Sequence, residues 1–433
     1  MRFVRHTEPN FTARLDSVAG TSSLFDPTIE ERTRAIVAEV DRRRDEALVE
    51  LTQRFDGATL TPDRLAVTTA ELVHAGIVVD EPLRQAVAEA HRNVAAFARR
   101  SLRRPWQMTN SHGGVVGEKF DAFRRVGLYI PGGTAPLVST AIMTVTLAQV
   151  AGCSEIVVCT PAGRDGTVNP ALLYAANLAG ATEIYRVGGA QAIAAMALGT
   201  PTIPKVQKVF GPGNAYVVAA KRLVFGRVAV DLLPGPSEVL VLADDSADPA
   251  LIAADVLAQA EHGSGHERLW VVSPSARILA AVEREVRRQL PACSRRALIE
   301  PNLEANGWLI QVRDLDQGVD LVNRLAPEHC EVMTRRARVV SERIVTAGAL
   351  FLGGDSPTVL GDYVAGPSHT LPTGGAGNSF AGLTVDQFQR RTSVVEYGRP
   401  ALRKALKAVG KFAELEGLDA HGRSAALRTR KKR

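Results

Sequence analysis

Apolar residues recur along this chain in two rhythms. From Pro27 to about residue 54, Ile29, Ile36, Val37, Val40 and Leu48 recur as a helical stripe. Asp26 before Pro27 supplies an N-cap with proline in the first turn. A second long helix is predicted over 81–102, with Arg84, Arg92, Arg99 and Arg100 at its exposed positions. Residues 1–26 read as short and irregular. Near Arg125 the rhythm changes to short β-branched runs alternating with helical stretches. Strands are predicted at 126–130, 155–160, 183–187, 208–210 and 228–232, with helices near 135–151, 169–179, 190–198 and 214–224. A second series places strands at 238–242, 269–272, 308–312, 331–334 and 349–352, and helices near 248–262, 276–289, 315–325 and 337–346. Such alternation predicts parallel sheets of the α/β class.

The fold class is therefore α/β: two Rossmann-like parallel-sheet units lacking a GxGxxG fingerprint, plus helical N-terminal and C-terminal segments. The boundaries are an N-terminal segment 1–26, a helical part 27–127 packing with the second α/β unit, a first unit 128–236, a second unit 237–381, and a C-terminal helical segment 382–433. No internal repeat marks the two units as duplicates. The glycine-rich stretch 374–378 reads as a flexible joint before the last segment. That segment has too few residues to bury its own apolar faces, so it should dock on its own body or on a partner subunit.

Composition narrows the class. The 433 residues are 45% hydrophobic, enough for sizeable cores, and no uninterrupted apolar run approaches the length of a membrane span. No apolar stretch follows the first residues, so a secretory signal is not expected. Cys153, Cys159, Cys293 and Cys330 form no CxxC pair, which suits reduced thiols in the cytoplasm. The net charge is +6, and much of the excess lies in Arg423, Arg428, Arg430, Lys431, Lys432 and Arg433. No aromatic residues interleave with that tail, so it reads as a solvated terminus rather than a nucleic-acid surface.

Candidate chemistry sits at the ends of the predicted elements. Ile252, Val256 and Gln259 share one helical face, and His262 lies one turn beyond Gln259. A Gln and a His stacked at a helix end suit either a metal ion or an ordinary hydrogen-bonded pair. Three glycine turns, 129–133, 187–191 and 210–214, each follow a strand and open a helix. Their backbone N–H groups favour an anion such as a pyrophosphate, or the glycines serve only tight turns. None is a dinucleotide fingerprint, since Tyr216 stands where a third glycine would be. Ser237, between a rigid turn and a strand, suits a ligand-contacting hydroxyl better than a nucleophile. Glu328 and His329 at a helix-to-strand junction suit acid–base work, with a plain surface turn as the alternative. Cys330 beside them reads as a small buried residue rather than a nucleophile. Asp362 and His369 occupy one turn-rich loop, and Glu416 and His421 lie in the last helical region.

Taken in order, these stretches resemble the histidinol dehydrogenase family. The matching motifs are GLYIPGG at Gly127, GGAQA at Gly188, FGPGNA at Phe210, PGPSEV at Pro234, QAEHG at Gln259, PEH at Pro327, GDY at Gly361 and the final helix with His421. The N-terminal hundred residues match mainly in length and helical character. The resemblance implies a zinc enzyme with one Zn2+ per subunit. It implies oxidation of L-histidinol through L-histidinal to L-histidine with two NAD+, the last step of histidine biosynthesis. It also implies a cytoplasmic homodimer whose C-terminal segments reach into each other's sites, with no membrane and no nucleic-acid partner. Carried over residue by residue, the zinc ligands are Gln259, His262, Asp362 and His421, and the proton acceptors are Glu328 and His329. Substrate contacts are Ser237, Gln259, His262, His329, Asp362, His369, Glu416 and His421. NAD contacts in the first unit are Tyr129, Gln191 and Asn214. Cys330 stands where an aliphatic residue is usual in the family, and Thr134 where Ser is frequent. The other readings are a related zinc dehydrogenase acting on a small alcohol such as a sulfonated diol, and a nucleic-acid-binding protein resting on the tail alone.

Overall fold

The computed structural model describes residues 1–19, 26–132 and 136–430. Thr134, Ala135 and the last three residues of the basic tail lie outside the described residues, as does Gly133 of the first glycine turn. The chain opens with β1 (Arg2–Arg5) and α1 (Phe11–Ala19), followed by α2 (Pro27–Arg43), α3 (Asp45–Asp56), α4 (Thr69–Val78) and α5 (Glu81–Ser101). A hairpin of β2 (Trp106–Thr109) and β3 (Val115–Ala122) leads into the first α/β unit. This unit runs β4 (Arg125–Tyr129), α6 (Val138–Ala151), β5 (Glu155–Thr160), α7 (Pro170–Ala179), β6 (Glu183–Arg186), α8 (Gly189–Leu198), β7 (Lys208–Phe210), α9 (Ala215–Val224) and β8 (Ala229–Val230).

The second unit runs β9 (Glu238–Ala243), α10 (Pro249–Ala260), β10 (Arg268–Ser273), α11 (Ala276–Gln289), α12 (Arg296–Asn306), β11 (Gly307–Gln311), α13 (Leu315–Leu325), β12 (His329–Met333), α14 (Ala337–Ser341), β13 (Ala349–Leu352) and α15 (Thr358–Tyr363). The chain closes with β14 (Gln389–Glu396), α16 (Arg399–Leu415) and α17 (Asp419–Leu427). The first sheet has the order β6-β5-β4-β7-β8 and the second β1-β11-β10-β9-β12-β13, every pairing parallel. In both, the strand order doubles back beside a central strand, which opens a crevice at the carboxyl ends.

Both sheets are covered on both faces, so their strands read as continuous apolar runs. One face of the first sheet packs Val126, Leu128 and Ile156 against α6 and α7, with Val87, Ala90 and Val94 of α5 joining that core. The other face packs Val157 and Val209 against α8 and α9, with Val40 of α2 and Leu48 and Leu51 of α3 joining it. Helix α8 is buried all round from Ala190 to Ala197 because it lies between α2 and its sheet. The stretch 27–127 thus packs with the first unit, not with the second as expected. The second sheet's faces are already filled by its own helices and by α1.

Three further expectations are corrected. Residues 1–26 are not merely irregular: Arg2–Arg5 pair in parallel with Trp308–Gln311 at the sheet edge, and Phe11, Leu15 and Val18 of α1 enter a core. The segment after Leu383 is not all helix. Its β-branched run forms β14, which pairs antiparallel with β3 in a three-stranded sheet. The glycine stretch 374–378 is tied down: Gly374 N donates to Glu238 Oε1 at 3.0 Å. A Cβ on Gly377 would lie 2.1 Å from the Thr346 carbonyl oxygen, so the backbone there is in close contact. Helix α12 was not foreseen, because Pro301 inside it breaks the helical signal.

Candidate active site

The starts of β9 and β12 lie side by side at the amino ends of these strands, with His329 paired to Val239 in register. This brings the catalytic candidates onto Glu238. His329 Nδ1 lies 2.8 Å from the Glu238 carbonyl oxygen, which can only accept, so Nδ1 carries the proton and Nε2 a free lone pair. His329 is 4% exposed, and burial pulls its pKa down to about 4; the Glu238 carbonyl opposes that shift and His262 adds to it. It is therefore a neutral base at working pH. The Glu238 N–H donates to Glu328 Oε2 at 2.8 Å, and the Ser237 hydroxyl bonds to the same carboxyl group. Burial raises the pKa of Glu328 well above the usual range, with Glu238 and Asp362 adding repulsion. A carboxyl so placed holds a proton more readily than an ordinary glutamate, which suits it to acid–base work.

Helix α10 delivers the next two residues. Asp248 caps its N-terminus and Pro249 occupies its first turn. Gln259 is 2% exposed, and its Nε2 has no hydrogen-bond partner. The Gln259 carbonyl oxygen lies 3.1 Å from His262 Nδ1, so the ring points its Nε2 away from the helix end. His262 is close enough to act electrostatically on His329, Asp362 and His369. On α15, Asp362 Oδ1 lies 3.9 Å from His329 Nε2 and 3.9 Å from His369 Nδ1. His369 Nδ1 donates to the Asp362 carbonyl at 3.0 Å, and its Nε2 lies 3.3 Å from Thr140 Oγ1 on α6. That last contact crosses from the second unit to the first. The site is thus a crevice between the units.

The cofactor candidates converge at the carboxyl end of the first sheet. The Tyr129 hydroxyl accepts from Gly189 N at 3.1 Å, at the start of α8. Gln191, one turn in, is 1% exposed with Nε2 unpartnered. Asn214 caps α9, its Oδ1 accepting from Tyr216 N and Val217 N, which leaves its amide NH2 for a ligand. Gly211, at φ 111°, lies so close to Tyr129 that a Cβ would sit 2.1 Å from the Tyr129 carbonyl oxygen. Only glycine lets these two turns meet. A cleft of about 360 Å³ lined by Gly132, Thr160, Pro161 and Asn169 opens beside them.

The structure brings together Ser237, Gln259, His262, Glu328, His329, Asp362 and His369. It does not bring Glu416 or His421 to them within one chain. Among the described residues no three His, Cys, Asp or Glu side chains are gathered to hold a metal ion, and His421 is exposed on α17, which packs on α16. Cys330 is fully buried and burial pushes its thiol pKa up, so it is no nucleophile. Glu238 and Thr140 were missed by sequence reasoning. Glu238 is 1% exposed, accepts from Gly374 N and Arg268, and is pushed up to about 7 by burial. Its place beside Ser237 was the one available signal.

The family model for histidinol dehydrogenase matches residues 21–429. The histidinol dehydrogenase of Geobacillus kaustophilus is 44% identical over 424 residues, 96% of this chain and 99% of the relative. That of a Synechococcus species is 45% identical over 399 residues, 92% of each chain. The crystal structure of histidinol dehydrogenase from Elizabethkingia anophelis superposes with a TM-score of 0.94 at 33% identity, covering 99% of this chain and 98% of that one.

Proposed function

Because the chain belongs to the histidinol dehydrogenase family, which oxidises histidinol to histidine in histidine biosynthesis, we propose that the inter-unit crevice performs this NAD-linked reaction with His329 and Glu328 as its proton acceptors. The observation that carries the assignment is the fixed tautomer of His329, whose Nε2 lone pair faces the crevice beside Asp362. His329 accepts the alcohol proton as the substrate carbon is oxidised. Glu328 takes a proton from the water that hydrates the aldehyde, and a second oxidation gives the acid. Bound NAD+ supplies the hydride acceptor, and Tyr129, Gln191 and Asn214 hold it at the glycine turns.

Gln259, His262 and Asp362 fit a zinc ion. The buried Gln259 can offer its amide oxygen, His262 turns Nε2 outward, and Asp362 has no Lys or Arg partner among the described residues, so oxygen and nitrogen donors of the kind zinc takes are present. Zinc has no redox chemistry of its own and, when bound, supplies a Lewis-acid anchor for the substrate's imidazole and amine nitrogens. With Ser237 and His369, these residues fix the alcohol carbon toward the nicotinamide.

The fourth ligand is assigned to His421 of a second copy of the chain, with Glu416 beside it on the substrate. Helices α16 and α17 support this, since Phe412 is 63% and Leu415 78% exposed, an apolar face with no cover in the single chain. The dimer is placed in the cytoplasm, where the four free thiols stay reduced.

The test is NADH formed per histidinol consumed, before and after chelation and after zinc is restored. Two NADH per histidinol, lost on chelation and regained with zinc, support the reading. One NADH per histidinol, or turnover only with a sulfonated diol, overturns it.

A further inference from the structure

Lys221 of α9 is fully buried, and each of its three donors is used. Nζ donates to the Gly211 carbonyl at 2.8 Å and to the Leu232 carbonyl at 2.9 Å, and it pairs with the carboxylate of Asp231. Asp231, whose side chain is equally buried, accepts from Gly211 N at 2.8 Å through its other oxygen. Both backbone groups of Gly211 are therefore held by one ion pair, the N–H by Asp231 and the carbonyl by Lys221. Gly211 opens the turn that ends at Asn214, and Leu232 begins the crossing that reaches Ser237. That crossing is pinned again where Gly235 N bonds to Thr373.

A buried ion pair is weak evidence for stability, since apolar side chains of similar volume often do as well. Its value here is geometric, because it fixes one residue of the cofactor turn to one residue of the substrate crossing. We propose that Lys221 and Asp231 are positioning residues that hold the 211–214 turn in register with the crossing to Ser237, and so set the affinity for the dinucleotide. This rests on the assignment of NAD to that turn. Neither residue touches substrate or cofactor; each acts through Gly211.

The test uses the full-length enzyme. Lys221→Met should raise the NAD Kd, measured by calorimetry, and the NAD KM by about tenfold, while the histidinol KM moves by about twofold or less. The double variant Lys221→Met/Asp231→Leu removes both charges; it should regain the melting temperature but keep the raised NAD Kd. A double variant that binds NAD as the wild type does would show that the pair only fills space, and would overturn the proposal. Equal losses in both KM values would do the same. If Lys221→Met does not fold, the near-isosteric Asp231→Asn reads the same split, and an unchanged NAD Kd in it also overturns the proposal. Calorimetry needs no histidinol. Wild-type enzyme that binds NAD but leaves histidinol unoxidised would therefore strike the substrate reading alone, whereas failure to bind NAD would strike this proposal too.

Discussion

Both α/β units bury charge, but they pair it differently. In the first unit, Arg125 bonds to Glu155 at 2.9 Å and to Glu183 at 2.6 Å, Arg186 pairs with Glu71, and Lys221 pairs with Asp231. In the second, Glu238 has Arg268 at 3.3 Å, whereas Glu328, Glu331 and Asp362 have no Lys or Arg ion-pair partner among the described residues. The surplus registers as upward pKa shifts from burial at all three and at Asp255, pushed to about 6, with Glu331 reaching about 9. These carboxyl groups hold their protons more readily than ordinary carboxylates do. The comparison teaches that compensated charge builds a scaffold and uncompensated charge builds a site.

The sharpest way to break this contrast is at His329. His329→Asn should lower alcohol oxidation by about 10²–10⁴-fold while zinc remains bound. Unchanged turnover, followed as NADH release with metal content by atomic absorption, would remove His329 from the chemistry. On the balanced side, Arg125→Met leaves two carboxylates facing each other without their cation. It should destabilise the protein by about 3–5 kcal/mol in denaturant titrations, with zinc content unaltered. A loss of zinc with only a small stability change would reverse the roles assigned to the two units.

A finer test divides the two half-reactions. Glu328→Gln should slow histidinal oxidation by about 10²-fold and histidinol oxidation by less than about tenfold. Equal losses would mean that Glu328 does not act on water. The smallest expected effect concerns Asp56, an acid on the cofactor side with no Lys or Arg ion-pair partner among the described residues. Burial raises Asp56 from an ordinary 3.8 to about 6, so the folded state holds its proton longer than the unfolded chain. Stability then declines as pH rises from 3.8 to about 6, and Asp56→Asn should relieve that loss. With partial exposure discounted, the gain is about 1 kcal/mol at pH 7, vanishing below about pH 4, readable in melts of the cofactor-free protein.

Much of this was legible in the residues. Strand β5 and helix α13 fall where their periodicity puts them, since both have clear apolar patterns and capping or breaking residues at their ends. The glycine turns at Gly188 and Gly211 were legible because each opens a helix after a strand. Other features depend on partners distant in sequence. The β14 pairing joins Arg391 to Phe120, and no local pattern encodes a bond across that separation. The packing of α2 on α8 and α9 is equally non-local, as both units offered apolar strands. Around the site, Glu328 and His329 were visible as types, but their protonation was not. The His329 tautomer is set by the Glu238 carbonyl, 91 residues away.

Cys330 has a practical consequence. Its sulfur is sealed inside β12, next in sequence to His329, the proposed base, and burial holds it protonated. Oxidation of an aldehyde here therefore needs no thioester. Alkylating agents would meet Cys293, the partly accessible thiol, before any other. If the proposed site is right, iodoacetamide should leave activity intact, because the one thiol beside that site is buried.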